Sequence, residues 1–449
     1  FVLDVPIGEK DRERFRWYLE EYLRYPYGAY PEIAAEVEAS LRAWGEQVFQ
    51  PLFGAGTARD RYRDAIRPAR SNCGLVVRSS DPRVLQFPWE LIYDPESGFL
   101  APALAGFARQ VPSVRPPSAI DHLPTDRLRV LFVVARPYGQ QDVRYRMVVK
   151  PVLEAFAAAP QVEVELLRPP TFSALQKRLR NRERPVHLVH FDGHGGFDPD
   201  PHGRRHQLGA EVGAEEGLGV LVFEREQPTA DGELKHYVTS TDLAQALTNA
   251  GVPVPLFVLN ACRSNLSEGK DPFASVATAL VKQGARAVVA MNYTVFARAA
   301  AVFMGDFYAA LVAGDSVAEA VAKGRHALFA NQDRPSPKGD RPLHDWMVPV
   351  LYQQDRYTPL PAASGNGDAI AELRDRVRRA QESSDSVSDP KNVPLIGFPE
   401  IGRFGFLGRD HDLLVLERAL RNNTAVLLRG MGGVGKTQLA THLAGWLHR

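Results

Sequence analysis

Val186-His187-Leu188-Val189-His190-Phe191 runs into Asp192-Gly193-His194-Gly195-Gly196, and the reading of this stretch decides the fold. A short apolar run checked by glycines reads as a buried strand that stops at a turn. A second segment follows the same plan, Leu256-Phe257-Val258-Leu259-Asn260 leading to Ala261-Cys262-Arg263-Ser264. In an open α/β sheet, ligands bind outside the carboxyl ends of the strands. A histidine and a cysteine in that place on two strands make a thiol nucleophile with its base, the pattern of a cysteine peptidase.

The flanking sequence supports such a sheet. Leu128 to Val134, Val162 to Leu167, Leu218 to Phe223, Ala287 to Ala290 and Val348 to Tyr352 read as further strands. Met147–Ala158, Phe172–Leu179, Asp242–Leu247 and Phe273–Lys282 read as helices between them. Strands with few polar positions, separated by helices, predict a mostly parallel sheet covered on both faces. Residues 1–120 open instead with amphipathic helix, Ala34, Val37, Leu41, Trp44, Val48 and Leu52 falling at helical spacing. Gly74–Arg78 reads as a strand, and Pro88-Trp89-Glu90-Leu91-Ile92-Tyr93-Asp94 leads to a turn at Gly98.

Composition narrows the class. Of 449 residues, 45% are hydrophobic and 24% charged, so the chain can bury a core. A balance of 54 basic to 53 acidic residues provides no net attraction to nucleic acid or to a membrane surface. No apolar stretch approaches the ~18 residues of a membrane span. Two cysteines, Cys73 and Cys262, give no disulfide framework and suit a reducing cytoplasm. The chain opens at Phe1 and stops at Arg449 inside a helical pattern, so it reads as part of a longer protein.

A free thiol has a pKa of ~8.5, and a neighbouring imidazolium lowers it. The imidazole takes the thiol proton and later delivers it to the leaving amine. Gly195 has no side chain, so its N–H can approach a substrate carbonyl; with the N–H of Cys262 it would form an oxyanion hole, one donor being worth on the order of 10²–10³ in rate. Taken singly, Cys262 reads equally as a small buried hydrophobe. His187 and His190, inside the strand, read as structural. Asp192 either lines a pocket or caps a turn. The loop from Phe197 to Glu216 is either a lid or a plain surface loop. Cys73, with no histidine near it in sequence, reads as structural.

Residues from about 1 to 356 resemble a CHAT domain, a member of the caspase–separase group (clan CD) of cysteine peptidases. The resemblance rests on Pro88-Trp89-Glu90-Leu91 with Tyr93-Asp94, Leu131-Phe132-Val133-Val134-Ala135-Arg136-Pro137, His190 to Gly195, Leu259 to Ser264, Asp271-Pro272-Phe273 and Pro349-Val350-Leu351-Tyr352. It implies that His194 is the base, Cys262 the nucleophile and Gly195 an oxyanion donor. It implies, too, that residues 1–120 are a degenerate half of the domain whose catalytic half is 121–356. Two positions depart from the pattern. Relatives that cut after basic residues often carry an acidic residue where this chain has Asn260, and separases have an acidic segment where it has Asn292-Tyr293-Thr294-Val295.

Residues 357–402 read as a linker, with a connector helix carrying Ile370, Leu373, Val377 and Ala380. Beyond it, Thr424–Arg429 reads as a strand before Gly430-Met431-Gly432-Gly433-Val434-Gly435-Lys436-Thr437, which fits G-x-x-x-x-G-K-[ST]. Glycines let backbone N–H groups wrap phosphates, and the following helix adds a favourable dipole. Lys436 would reach the outer phosphates of ATP or ADP, and Thr437 would hold Mg²⁺. With Gly408-Arg409-Asp410 and the helix Leu413–Leu420, residues 403–449 resemble the start of a STAND ATPase of the NB-ARC/NACHT kind, in which Arg409 would border the adenine site. Walker B and sensor elements are absent from this sequence, so hydrolysis by the segment alone is not expected.

The two resemblances together imply a caspase-like peptidase governed by a nucleotide switch that self-associates, a sensor region beyond Arg449, and a setting in bacterial defence or regulated cell death. The partner would be a protein substrate, a pore-forming effector being one example. The alternative is a non-proteolytic adaptor whose only chemistry is nucleotide exchange.

Overall fold

In the computed structural model the apolar runs become strands of one sheet. The structure describes residues 7–113, 115–139, 142, 152–153, 156, 161–197, 219–251, 253–263, 272–293, 296–360 and 409–448. In chain order the strands are β1 (Gly74–Arg78), β2 (Tyr93–Asp94), β3 (Gly98–Phe99), β4 (Gly106–Gln110), β5 (Leu128–Val134), β6 (Val162–Leu166), β7 (Leu188–Phe197), β8 (Gly219–Glu224), β9 (Lys235–Thr239), β10 (Leu256–Arg263), β11 (Ala287–Met291), β12 (Asp333–Arg334), β13 (Arg341–Pro342) and β14 (Pro349–Gln353). Among the described residues the main sheet has the order β1-β4-β14-β11-β10-β7-β5-β6, with β8 added to β7 and β9 to β8. The strands β6, β5, β7, β10 and β11 are mutually parallel; β14 is antiparallel to β11, and β8 to β7. This is the expected mostly parallel α/β architecture.

Cover on both faces explains the near-continuous apolar runs. Along β5, Val130 and Phe132 enter one core with Met304 and Phe307, while Leu131 and Val133 enter a second with Val276 and Leu280. The covering helices have local start signals. Ser316 caps the helix Val317–Ala330, its hydroxyl accepting from Glu319 N at 3.4 Å while Glu319 Oε2 accepts from Ser316 N at 2.9 Å. Such a box satisfies two otherwise orphaned donors.

Residues of the first 120 join the sheet through β4, which pairs with β14. A buried ion cluster fixes this junction. Arg109 of β4 donates from Nη1 and Nη2 to both oxygens of Glu90 at 2.7 and 2.8 Å, and to the carbonyls of Leu85 and Phe87 at 2.6 and 2.8 Å. Arg325 Nη2 lies 3.7 Å from Glu90 Oε1 and donates to Pro349 O at 2.7 Å. Burial lowers the Arg325 guanidinium to about 10, against the pull of Glu90. The Pro88–Leu91 motif is therefore, in part, the socket of a fully buried arginine.

The structure departs from the sequence reading or adds to it at four places. The two strands run past their expected ends: β7 continues beyond Phe191 through His194 to Phe197, and β10 beyond Leu259 through Cys262 to Arg263. The reason is tertiary. β8 returns antiparallel and pairs with His194–Phe197, so flexible residues find a partner instead of turning. Gly193 is required by close approach, since a Cβ there would lie 2.9 Å from the Phe191 ring and 3.2 Å from Ala135 O. Secondly, Lys235–Thr239 is a strand that its polar sequence conceals. Thirdly, Thr424–Arg429 is not paired into any described strand, although Val426 and Leu428 pack against the core while Leu427 is exposed. Lastly, Asp192 neither lines an open pocket nor caps a turn, because it lies buried within β7. The expected 147–158 helix is described only at the helical Val152, Leu153 and Phe156. The 197–216 loop beyond Phe197, the connector helix and most of the linker lie outside the described residues.

Candidate active site

Topology places the two reactive positions side by side. Chain order runs from β5 to its neighbour β6, then crosses back to β7 on the other side of β5, and so makes a switch point between them. β7 and β10 are in register from Leu188↔Leu256 to Gly195↔Arg263, which makes His194 and Cys262 direct cross-strand partners. Neighbouring strand backbones lie ~4.8 Å apart. The Cys262 side chain lies outside the described structure, and its backbone is placed by this register. Gly195 stands beside Arg263 of β10 and opposite Leu221 of β8.

His194 is held from two sides by a loop that the sequence reading passed over. Its Nε2 makes a short hydrogen bond to Asp142 Oδ1, and the Asp142 side chain is only 2% exposed. Asp142 Oδ2 accepts from the backbone N–H of Tyr138 at 2.8 Å, and the Tyr138 ring meets the His194 ring edge-on, centroids 4.6 Å apart. Lys235 Nζ lies 4.8 Å above the Tyr138 ring. A carboxylate on Nε2 keeps the proton on that nitrogen and leaves Nδ1 as the basic face. The sequence carried one signal for it, because Asp142 is the sole acidic residue between the end of β5 and Leu153.

Beneath this pair a buried network pins the strands. Arg136 donates to Asp192 Oδ2 and to Asp192 O, each at 2.8 Å, and Asn260 Nδ2 donates to Asp192 Oδ1 at 3.3 Å. Asp192 and Asn260 sit two residues before His194 and Cys262 on their strands. Burial pushes the Asp192 carboxyl up, with Arg136 pulling the other way. Asp192 is thus committed to an internal arginine.

The other candidates separate as expected. His187 is structural: Nδ1 accepts from Arg129 N at 3.0 Å, Nε2 lies 2.9 Å from Pro124 O, and burial depresses it to about 4. His190 has Nδ1 2.6 Å from the Tyr308 hydroxyl, its ring stacks on Phe132, and burial depresses it to about 3. Cys73 lines an apolar pocket of about 230 Å³ with Phe53, Tyr62 and Leu104, far in sequence from any catalytic partner.

In the second motif, Gly433 and Gly435 take φ of 76° and 82°, values that favour glycine. The helix Lys436–His448 begins at the motif lysine, whose Nζ donates to the carbonyls of Gly430 and Met431 at 2.9 and 2.8 Å. Arg409 reaches the same loop, Nη1 donating to Val434 O at 2.9 Å. Among the described residues no cluster suits a metal ion, and no helix is long and apolar enough to cross a membrane.

The fold is thus a mostly parallel α/β sheet covered by helices, with Cys262 and His194 in register on adjacent strands. The CHAT domain family model matches residues 40–366, and the chain belongs to that family. A comparison with curated proteins finds no match. Among solved structures the chain is similar to that of the Saccharomyces cerevisiae separase–securin complex, at 13% identity and a TM-score of 0.34, covering 78% of this chain and 23% of that one. It is also similar to the Arg-specific cysteine proteinase gingipain R, at 8% identity and a TM-score of 0.36, covering 73% and 76%. Likenesses at these TM-scores assign neither activity nor substrate.

Proposed function

We propose that the chain is a cysteine endopeptidase joined to a nucleotide-binding switch. The observation that carries this reading is the register of Cys262 with His194 across β7 and β10, with Asp142 holding Nε2 of that histidine. His194 takes the Cys262 thiol proton at Nδ1. The thiolate attacks the scissile carbonyl, forming a C–S bond and an oxyanion. Collapse of that intermediate breaks the C–N bond, and the imidazolium delivers its proton to the leaving amine. Water then hydrolyses the thioester, losing a proton to His194, which regenerates the thiol. The N–H groups of Gly195 and Cys262 serve the oxyanion; for Gly195 this would need the β7–β8 pairing opposite Leu221 to open. With Asp192 engaged by Arg136 and neutral Asn260 beside it, nothing among the described residues at this rim favours a basic residue before the cut.

The phosphate loop fits a nucleotide. Gly432 and Gly433 have open space where a Cβ would stand, and the loop opens a helix of 13 residues. Gly430, Gly432, Gly433, Val434 and Gly435 would hold the phosphates by backbone N–H groups, with Lys436 turning from its carbonyl partners to the outer phosphates. Thr437 would hold Mg²⁺, and Arg409 would border the base. Bound nucleotide would supply charge and a conformational signal, without hydrolysis by this segment. The reading extends to a cytoplasmic defence or cell-death setting, a protein substrate such as a pore-forming effector, and self-association through the nucleotide unit.

The test is a comparison of cut sites, by proteomics, in cells producing the active protein or its Cys262→Ala form. Cuts present only with Cys262 support the peptidase. Identical profiles, with equal reactivity of Cys73 and Cys262 toward iodoacetamide, would leave the adaptor reading.

A further inference from the structure

The helix Asp410–Asn422, which precedes the phosphate loop, packs Leu413, Leu414 and Leu416 into the core and meets the peptidase sheet at one buried carboxylate. Glu224 ends β8 and is 1% exposed. Its Oε1 accepts from Arg136 N at 3.1 Å and from Arg418 Nη2 at 3.1 Å, and its Oε2 accepts from Arg421 Nη1 at 3.2 Å. Arg418 Nη2 donates also to Arg136 O at 2.6 Å. The chain of bonds continues both ways. Arg421 binds Glu417 Oε1 at 2.6 Å, and Glu417 Oε2 accepts from Trp446 Nε1 at 3.3 Å, on the helix that Lys436 opens. In the other direction Arg136 grips Asp192, and Asp192 receives Asn260, two residues short of His194 and Cys262 respectively.

Arg418 and Arg421 keep 19% and 20% of their side chains exposed, whereas Glu224 is sealed. Removing both arginines takes two cations from a carboxylate that water does not reach, a far larger loss than that of a surface ion pair. The strain falls on Arg136, whose N–H and C=O are both used at this junction and whose guanidinium holds the catalytic strand. We propose that the Glu224–Arg136–Asp192 series couples the phosphate-loop segment to the ends of β7 and β10, so that docking of the Asp410–Asn422 helix steadies the His194–Cys262 rim. The proposal rests on the peptidase-and-switch reading and names the contact through which the switch acts.

Amide hydrogen exchange on the full chain tests it, comparing the unaltered protein with Arg418→Ala/Arg421→Ala and, from the other side, Glu224→Gln. Exchange at Asp192–Phe197 and Asn260–Arg263 is expected to quicken about tenfold in both variants, with Gly74–Arg78 of β1 unchanged. Unchanged exchange at the β7 and β10 ends overturns the coupling, whether or not the helix has loosened. So does a rise that includes β1, which would mean general destabilisation. Iodoacetamide labelling of Cys262, followed in parallel, separates the two ideas. Faster exchange without selective Cys262 reactivity keeps the coupling and removes the peptidase; selective reactivity with unchanged exchange removes the coupling alone.

Discussion

The β7 segment and the Gly430–Thr437 loop each set one candidate side chain, His194 or Lys436, among glycines, and the molecule supports them very differently. Around His194 every neighbour is engaged: β8 and β10 pair with the strand, Asp142 and Tyr138 bracket the ring, and Arg136 holds Asp192 below. Around Lys436 the support is sparser, with Arg409 reaching the loop at Val434 O from outside it. Two glycines at positive φ shape the loop, the lysine closes on carbonyls five and six residues back, Leu427 and Met431 are 78% and 82% exposed, and Thr424–Arg429 pairs with no described strand. A motif can therefore be complete in sequence and still differ in how far the fold determines its geometry.

The comparison can be broken at its strongest point first. His194→Ala should lower turnover on a substrate found by proteomics by ~10²–10⁴-fold and reduce Cys262 alkylation at neutral pH, since the base and its influence on the thiol are lost together. Glu90→Ala leaves the buried Arg109 and Arg325 without their carboxylate and should cost about 3–5 kcal/mol of stability, read as a drop in the urea midpoint. Acid should weaken the β7 side of the comparison. His187 and His190 titrate at about 4 and about 3 when folded, below the unfolded value near 6.5. Their contribution is whole above that value and declines as pH falls toward the folded ones, because the unfolded chain binds protons first. By pH 5 the loss is about 2 kcal/mol for each, measurable by denaturation across pH 5–7. Asp142→Asn should slow turnover roughly 10–100-fold while leaving the fold intact; unchanged turnover would leave Asp142 a purely structural role. Smallest on the fold is Lys436→Ala, expected to shift stability by no more than ~0.5 kcal/mol. It should nevertheless weaken ATP binding measured by calorimetry, and equal affinity would remove the phosphate-loop role.

The sequence was legible where neighbours in the chain are neighbours in space. Apolar runs located β5, β7, β10, β11 and β14, and the paired signatures at His194 and Cys262 located the rim. Three things were hidden because their partners are remote. β4 carries Arg109, whose burial makes sense only once Glu90 is seen to meet it. β9 is not placed from sequence, because its pairing comes from β8. Asp142 lies 52 residues from His194 along the chain, and no local pattern joins them.

Gly193 has a consequence for tracing lineages. A methyl group there would collide with Phe191 and Ala135, so the glycine serves the packing of the sheet whatever chemistry occurs at its edge. A descendant that had shed its thiol and imidazole would still keep it. The glycine thus reports the packing of the sheet and is silent about chemistry at its edge.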